Sequence, residues 1–152
     1  MEQSKIKVDR TSFQLGMINC FVEMVACGVK KLAISPPVSP SDYRLVRKAS
    51  EDIVRGFGIK SYLEKSLLVT DLQPAEFTEG KWTILYYEDD KVLEDYLALK
   101  RNKQQLEQSG QYDEKARKKI SFEFGRLLSY PREKIDEKIS LESPPMPFML
   151  VD

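Results

Sequence analysis

The sequence predicts an α+β fold that is mostly helical, with two N-terminal helices, a small antiparallel sheet and three C-terminal helices. Helix-capping and helix-breaking residues divide residues 12–57 and 89–139 into five stretches whose apolar residues recur three or four positions apart. Residues 59–88 are instead rich in β-branched and aromatic residues, and Pro74 and Gly80 interrupt them. We expect this segment to form the sheet and the three C-terminal helices to pack around the first helix.

The first predicted helix, residues 12–30, is apolar on almost every side. At 100° per residue, Asn19, Glu23 and Lys30 fall within about 40° of one another and form a thin polar strip. A helix with this pattern belongs in the middle of a domain, where a carboxylate must find a partner. We therefore expect Glu23 to be at least half buried and held by a cation or a hydrogen-bond donor.

The other elements have recognisable ends. Ser39 caps a second helix that stops at Gly56 and Gly58, and strand patterns cover residues 59–70 and 82–87. The three C-terminal helices are predicted to begin at Asp89 or Asp90, at Asp113 and at Pro131. In the second strand we expect the aromatic side chains of Trp82, Tyr86 and Tyr87 to be exposed.

Length and charge limit the classes of protein to consider. The chain of 152 residues predicts one globular domain, residues 1–142, followed by a Pro-rich apolar tail, residues 143–152. Its 24 basic and 24 acidic residues argue against nucleic acid or an anionic membrane as the main partner. The apolar stretch of the first helix contains Asn19 and Glu23, so it is a poor membrane span, and we expect a cytoplasmic protein.

The chain contains no histidine, which removes the commonest general base and the commonest transition-metal ligand. Cys20, Glu23 and Cys27 share one side of the first helix, but a tetrahedral zinc site needs four ligands. We therefore predict no metal and no cofactor. Because free cysteine is among the most buried residue types, we expect both cysteines to be packed in the interior.

A distinctive run, E-x-G-R-L-L-S-Y-P, occupies residues 123–131. It resembles the E-x-G-R-L-L-G-Y-P signature of an uncharacterised prokaryotic domain family, in which a similar charged helix and strand precede it. The resemblance covers the C-terminal half of the chain, and Ser129 stands where the family has glycine. Residues 132–134 replace the cysteines that many members carry. The family has no assigned activity, so the resemblance implies only the order of elements. Gly125, inside a helix, predicts a close helix crossing.

Two functions remain open. We prefer a non-enzymatic interaction module that self-associates, because the tail and the aromatic strand offer apolar surface and no catalytic set is evident. We expect the tail residues 148–151 to pack on their own domain or on another copy. The alternative is a small-molecule-binding protein or an enzyme, with Glu23 and Lys30 as candidate catalytic residues. Its candidate binding residues are Asn19, Arg126 and Tyr130.

Overall fold

The computed structural model describes residues 7–141, which form five α-helices and a three-stranded antiparallel sheet, and this confirms the predicted fold class. Along the chain the elements are α1 (Arg10–Ala26), β1 (Leu32–Ile34), α2 (Pro40–Phe57), β2 (Lys60–Glu64), β3 (Thr83–Tyr87), α3 (Asp90–Gln108), α4 (Glu114–Leu127) and α5 (Arg132–Ser140). Residues 143–152, the predicted apolar tail, lie outside the described range. No helix within that range is long and apolar enough to cross a lipid bilayer.

Side-chain caps fix where the helices begin. Ser39 accepts a hydrogen bond from the backbone N–H of Asp42, and Asp89 and Asp113 cap α3 and α4 in the same way. α1 begins before the predicted start, because the Asp9 carboxylate accepts from the N–H of Ser12 at 2.7 Å. It also ends earlier than predicted, in a left-handed turn at Gly28.

β3 is the central strand of the sheet and is buried along its whole length. β1 and β2 flank it, each antiparallel to it, with Ala33 opposite Tyr86 and Glu64 opposite Thr83. The prediction that its aromatic residues are exposed is therefore wrong. Tyr86 is fully buried and Tyr87 is 7% exposed. Trp82, just before the strand, is partly buried.

Helices cover both faces of β3. Ile84 and Tyr86 point to the face on which α1 and α2 pack, while Leu85 and Tyr87 point to the opposite face, against α3. α4 then packs on α3, and α5 packs on α4. The C-terminal helices therefore do not surround α1, as the sequence suggested. They lie on the other side of the sheet, because a strand with apolar residues on both faces needs a cover on each.

Two segments that lie between helices differ from the prediction. Residues 32–34 form a strand, although the sequence indicated only the end of the first helix and a turn. The apolar run at residues 67–70 is not a strand, because Leu67 and Leu68 reach the α3 side of the core from a loop. A buried loop and a buried strand both require apolar residues, so composition did not distinguish them.

Gly125 lies at a close approach of α4 and α5, as predicted. A Cβ added there would stand 2.7 Å from Cγ1 of Ile135, whose side chain is fully buried. Gly125→Ala should therefore destabilise the protein, since overpacking costs about 1–3 kcal/mol and the gain in helix propensity is only about 1 kcal/mol. Urea unfolding will measure this. Gly56→Ala, at a helical glycine with open space around it, should raise stability instead. A higher melting temperature for Gly125→Ala would refute the close approach.

Tyr86 carries a buried hydroxyl that has no hydrogen-bond partner within residues 7–141. Burial raises its pKa above the ordinary value of 10.0. Tyr86→Phe should leave stability unchanged or higher at neutral pH, because it removes an unsatisfied polar group. Above about pH 10 the unfolded chain loses this proton and the folded chain keeps it, so wild-type stability falls there and the variant should lose less. Tyr62→Phe, at a partly exposed tyrosine, is the control. Equal pH slopes for Tyr86→Phe and wild type would contradict this.

Candidate functional site

The structure brings together two of the predicted site residues, Lys30 and Tyr130. The Lys30 ammonium donates a hydrogen bond to the carbonyl oxygen of Leu128 at 2.7 Å and lies 4.8 Å from the centre of the Tyr130 ring. The Lys138 ammonium, from α5, lies 5.6 Å from the same ring centre. We call Lys30, Tyr130 and Lys138 the Tyr130 cluster. It holds two cations against one aromatic ring at the C-terminal end of α4.

Aromatic and carbonyl groups, rather than a carboxylate, stabilise the cations of the Tyr130 cluster. Neither Lys30 nor Lys138 forms an ion pair with any residue in the described range. Burial lowers the pKa of Lys30 and raises the pKa of Tyr130, so the enclosure of both groups disfavours their ionised forms. The end of a helix is the place where a cation gains most from the backbone dipoles.

α4 ends in a strained turn at Ser129, whose φ is 63°. The N–H of Ser129 donates to the carbonyl of Arg126, and the N–H of Tyr130 donates to that of Gly125, both at 3.0 Å. α1, α2 and α3 end in the same pattern but place glycine at the left-handed position. The serine hydroxyl accepts a hydrogen bond from the N–H of Lys31 at 2.9 Å, which ties the turn before β1 to the end of α4.

Arg126 lies in a groove beside this turn, between α3 and α4, with a volume of about 500 Å³. We call it the Lys31 groove. Its polar lining residues are Lys31, Asp95, Asn102, Glu123 and Arg126, and its apolar ones are Ala98, Leu99 and Leu127. Lys31 and Ser129 connect the groove to the Tyr130 cluster. The predicted grouping of Lys30, Tyr130 and Arg126 therefore corresponds to one corner of the molecule.

Glu23 and Asn19 do not belong to this corner, and the expectation that Glu23 is buried is wrong. Both residues are exposed on α1, and the Glu23 side chain makes no ion pair or side-chain hydrogen bond within residues 7–141. Cys20 and Cys27 are exposed free cysteines, so their expected interior packing is also wrong. The solvent-facing side of α1 carries few charged residues, and the sequence pattern alone does not separate such a side from a buried one.

Within residues 7–141 the buried carboxylate is that of Glu64, at the end of β2, which is 5% exposed. The hydroxyl of Tyr96 donates to its Oε2 at 2.8 Å, and the Lys100 ammonium donates to both carboxylate oxygens at 3.0 Å. The N–H of Ser66 donates to Oε1 at 2.9 Å. With these donors in place the carboxylate is well satisfied, so its role is to hold β2 against α3.

Sequence reasoning missed this network, although one signal was present. Tyr96 and Lys100 are four residues apart on α3, so they share a helix face with the apolar residues that pack inward. A lysine on the buried face of a helix implies a buried anion as its partner. Among the strands in residues 7–141, β2 is the one that contains an acidic residue, Glu64.

No protein-family model, no curated protein and no solved structure matches this chain. The resemblance of residues 123–131 to an uncharacterised family therefore stays an expectation.

Substitutions of Ser129 test the strain of this turn and its hydrogen bond with Lys31. Ser129→Ala keeps the left-handed strain and loses the hydrogen bond from Lys31, so we expect a loss of about 1 kcal/mol. Ser129→Gly loses the same bond but relieves the strain, and it should be more stable than Ser129→Ala by about 1 kcal/mol. Chemical denaturation of the two variants beside wild type measures both differences. Equal stability of the alanine and glycine variants would mean that the turn is not strained.

Proposed function

We propose that this protein is a non-enzymatic interaction module that self-associates through the exposed side of α1. The observation that carries the proposal is the small number of charged residues on that helix. α1 has two charged residues, Arg10 and Glu23, among 17, whereas α2 has seven among 18 and α3 has eight among 19. Loss of charged residues and enrichment in methionine are the composition of the central part of a protein interface.

The exposed residues of α1 have the spacing of a helix-pairing seam. Gly16, Cys20, Glu23 and Cys27 follow one another at intervals of four, three and four, and Met24 lies beside them. Gly16 and the cysteines are small, so a second helix can approach closely along this line. A Cβ at Gly16 would meet nothing within 4 Å, which leaves a shallow depression on the helix surface.

A second copy of this chain fits the surface because the seam is self-complementary. In an antiparallel pair that crosses at Cys20, Met24 of one copy lies over Gly16 of the other, and the same contact repeats across the two-fold axis. Met24 is 39% exposed and supplies the apolar side chain that the glycine lacks. The two Glu23 positions are then about 9 Å apart along the axis, close to one Debye length at physiological ionic strength, so their repulsion is weak.

The cytoplasmic location expected from the sequence is compatible with this pairing. The reducing conditions of the cytoplasm keep thiols such as Cys20 and Cys27 unoxidised, so they can act as small packing residues. Two Cys20 thiols beside a two-fold axis would be ready to form a disulfide once the protein is oxidised in vitro.

The second candidate function, binding of a small molecule, is favoured by the Lys31 groove. Its volume of about 500 Å³ is within the range of ligand sites. Of the two candidate catalytic residues, Glu23 lies on another part of the surface, whereas Lys30 lies beside the groove, on the carbonyl of Leu128.

Gly16→Arg tests self-association, because the long charged side chain blocks the close approach of a second α1. We expect wild type to be a dimer by light scattering and the variant to be a monomer. Gly56→Arg is the matched control, since Gly56 is also an exposed helical glycine with open space around it, and it should stay dimeric. Both variants should fold, because arginine favours helix more than glycine does. A monomeric wild type, or a dimeric Gly16→Arg, would refute the pairing through α1.

Deletion of residues 144–152 separates the α1 surface from the apolar tail as the source of association. If α1 is the interface, the truncated protein should keep the mass of a dimer. Mild oxidation of the full chain should then cross-link Cys20 of one copy to Cys20 of the other. The Cys27→Ser variant should still form this cross-link, and the Cys20→Ser variant should not. A monomeric truncated protein would mean that association requires the tail, and it would contradict the α1 proposal.

A further inference from the structure

The Lys31 groove presents charges of both signs that have no partner of their own. Glu123 and Arg126 lie three residues apart on α4, a spacing at which Lys134 and Glu137 on α5 do form an ion pair, at 3.1 Å. Neither Glu123 nor Arg126 forms an ion pair with a residue in the range 7–141, and nor does Lys31. Their carboxylate, guanidinium and ammonium groups are therefore free to bind a ligand.

From this arrangement we infer that the Lys31 groove binds a zwitterionic small molecule, of the size and chemical class of a dipeptide. Its carboxylate binds Arg126 and Lys31, and its ammonium binds Glu123. A guanidinium can bind a carboxylate through two parallel hydrogen bonds, which also fixes the orientation of the ligand. The inference does not depend on self-association, because α1 packs on the opposite face of the sheet from α3.

The spacing of Glu123 and Arg126 along α4 is compatible with this class of ligand. Side chains three apart on a helix have Cβ atoms about 5–6 Å apart, and an extended dipeptide spans at most about 7 Å between its termini. Leu99, which is 6% exposed, and Leu127 supply an apolar surface for a ligand side chain. The volume of about 500 Å³ accommodates a molecule of this size.

The chemistry of the lining argues against two other classes of small ligand. Glu123 and Asp95 would repel a nucleotide or another polyanion, and the lining from residues 7–141 contains no aromatic ring on which a base could stack. A purely apolar ligand would leave the charged groups desolvated without partners, which is unfavourable. A ligand with one positive and one negative charge provides a partner for the charged groups of both signs in the groove.

One end of the groove is held rigidly, which reduces the cost of binding. The backbone of Lys31 is fixed by its hydrogen bond to Ser129, and the Lys30 ammonium is fixed on the carbonyl of Leu128. The two hydrogen bonds place Lys31 next to the end of α4 before any ligand arrives. Such preorganisation increases affinity without any additional contact.

Three forms of one dipeptide test the inference by NMR titration of the full chain. Leucyl-leucine has both charges, its N-acetyl derivative lacks the ammonium, and its C-terminal amide lacks the carboxylate. We expect the zwitterion to shift resonances of α3 and α4 at millimolar concentration. The two derivatives should bind about tenfold more weakly, since each loses a charge-assisted hydrogen bond.

Two variants assign the charges to residues. Arg126→Gln should weaken binding of leucyl-leucine about tenfold and leave binding of the C-terminal amide unchanged. Glu123→Gln should also weaken binding of leucyl-leucine about tenfold, and it should leave binding of the N-acetyl derivative unchanged. Arg101→Gln and Glu94→Gln, exposed on α3 and outside the groove lining, should have no effect. Absence of any shift, equal binding of all three ligand forms, or affinities that neither groove variant changes would overturn the inference.

Discussion

Burial of β3 on both faces is the constraint on which the rest of this structure depends. A strand of five buried residues needs a partner strand on each edge and a layer of helices on each side. β1 and β2 supply the edges, α1 and α2 cover one face, and α3 covers the other. Each of the remaining helices then packs on a helix rather than on the sheet, which explains why α4 and α5 reach the surface with their charged residues exposed.

Local sequence signals predicted the helices well because those signals act within a few residues. Ser39, Asp89 and Asp113 each cap a helix through a hydrogen bond to the backbone two or three positions ahead, and this geometry needs no tertiary context. The three residues of β1 carry no comparable signal. Leu32, Ala33 and Ile34 become a strand only because β3 offers them unpaired backbone groups, and the chain position of β3 is some fifty residues away.

The rule that a buried carboxylate needs a partner applies in this protein to Glu64 and not to Glu23. Glu23 lies on a helix that is apolar on almost every side, so the sequence indicated burial. An exposed helix side with few charged residues is equally consistent with a surface that another molecule covers. Glu64 lies on an edge strand of mixed composition and is the residue that is buried. Its burial depends on Tyr96 and Lys100, more than thirty residues later, and no local pattern around Glu64 predicts them.

At Ser129 a local backbone strain is combined with a tertiary hydrogen bond. Its left-handed conformation suits glycine best. Serine adds a hydroxyl that accepts from Lys31, so part of the local strain is offset by a contact between residues 98 positions apart in the chain. That contact fixes the turn that follows α1 to the end of α4, across the edge of the sheet. The candidate residues Lys30 and Tyr130 meet at this turn, and Arg126 lines the groove beside it. A glycine at position 129 would form the helix end without the link to Lys31.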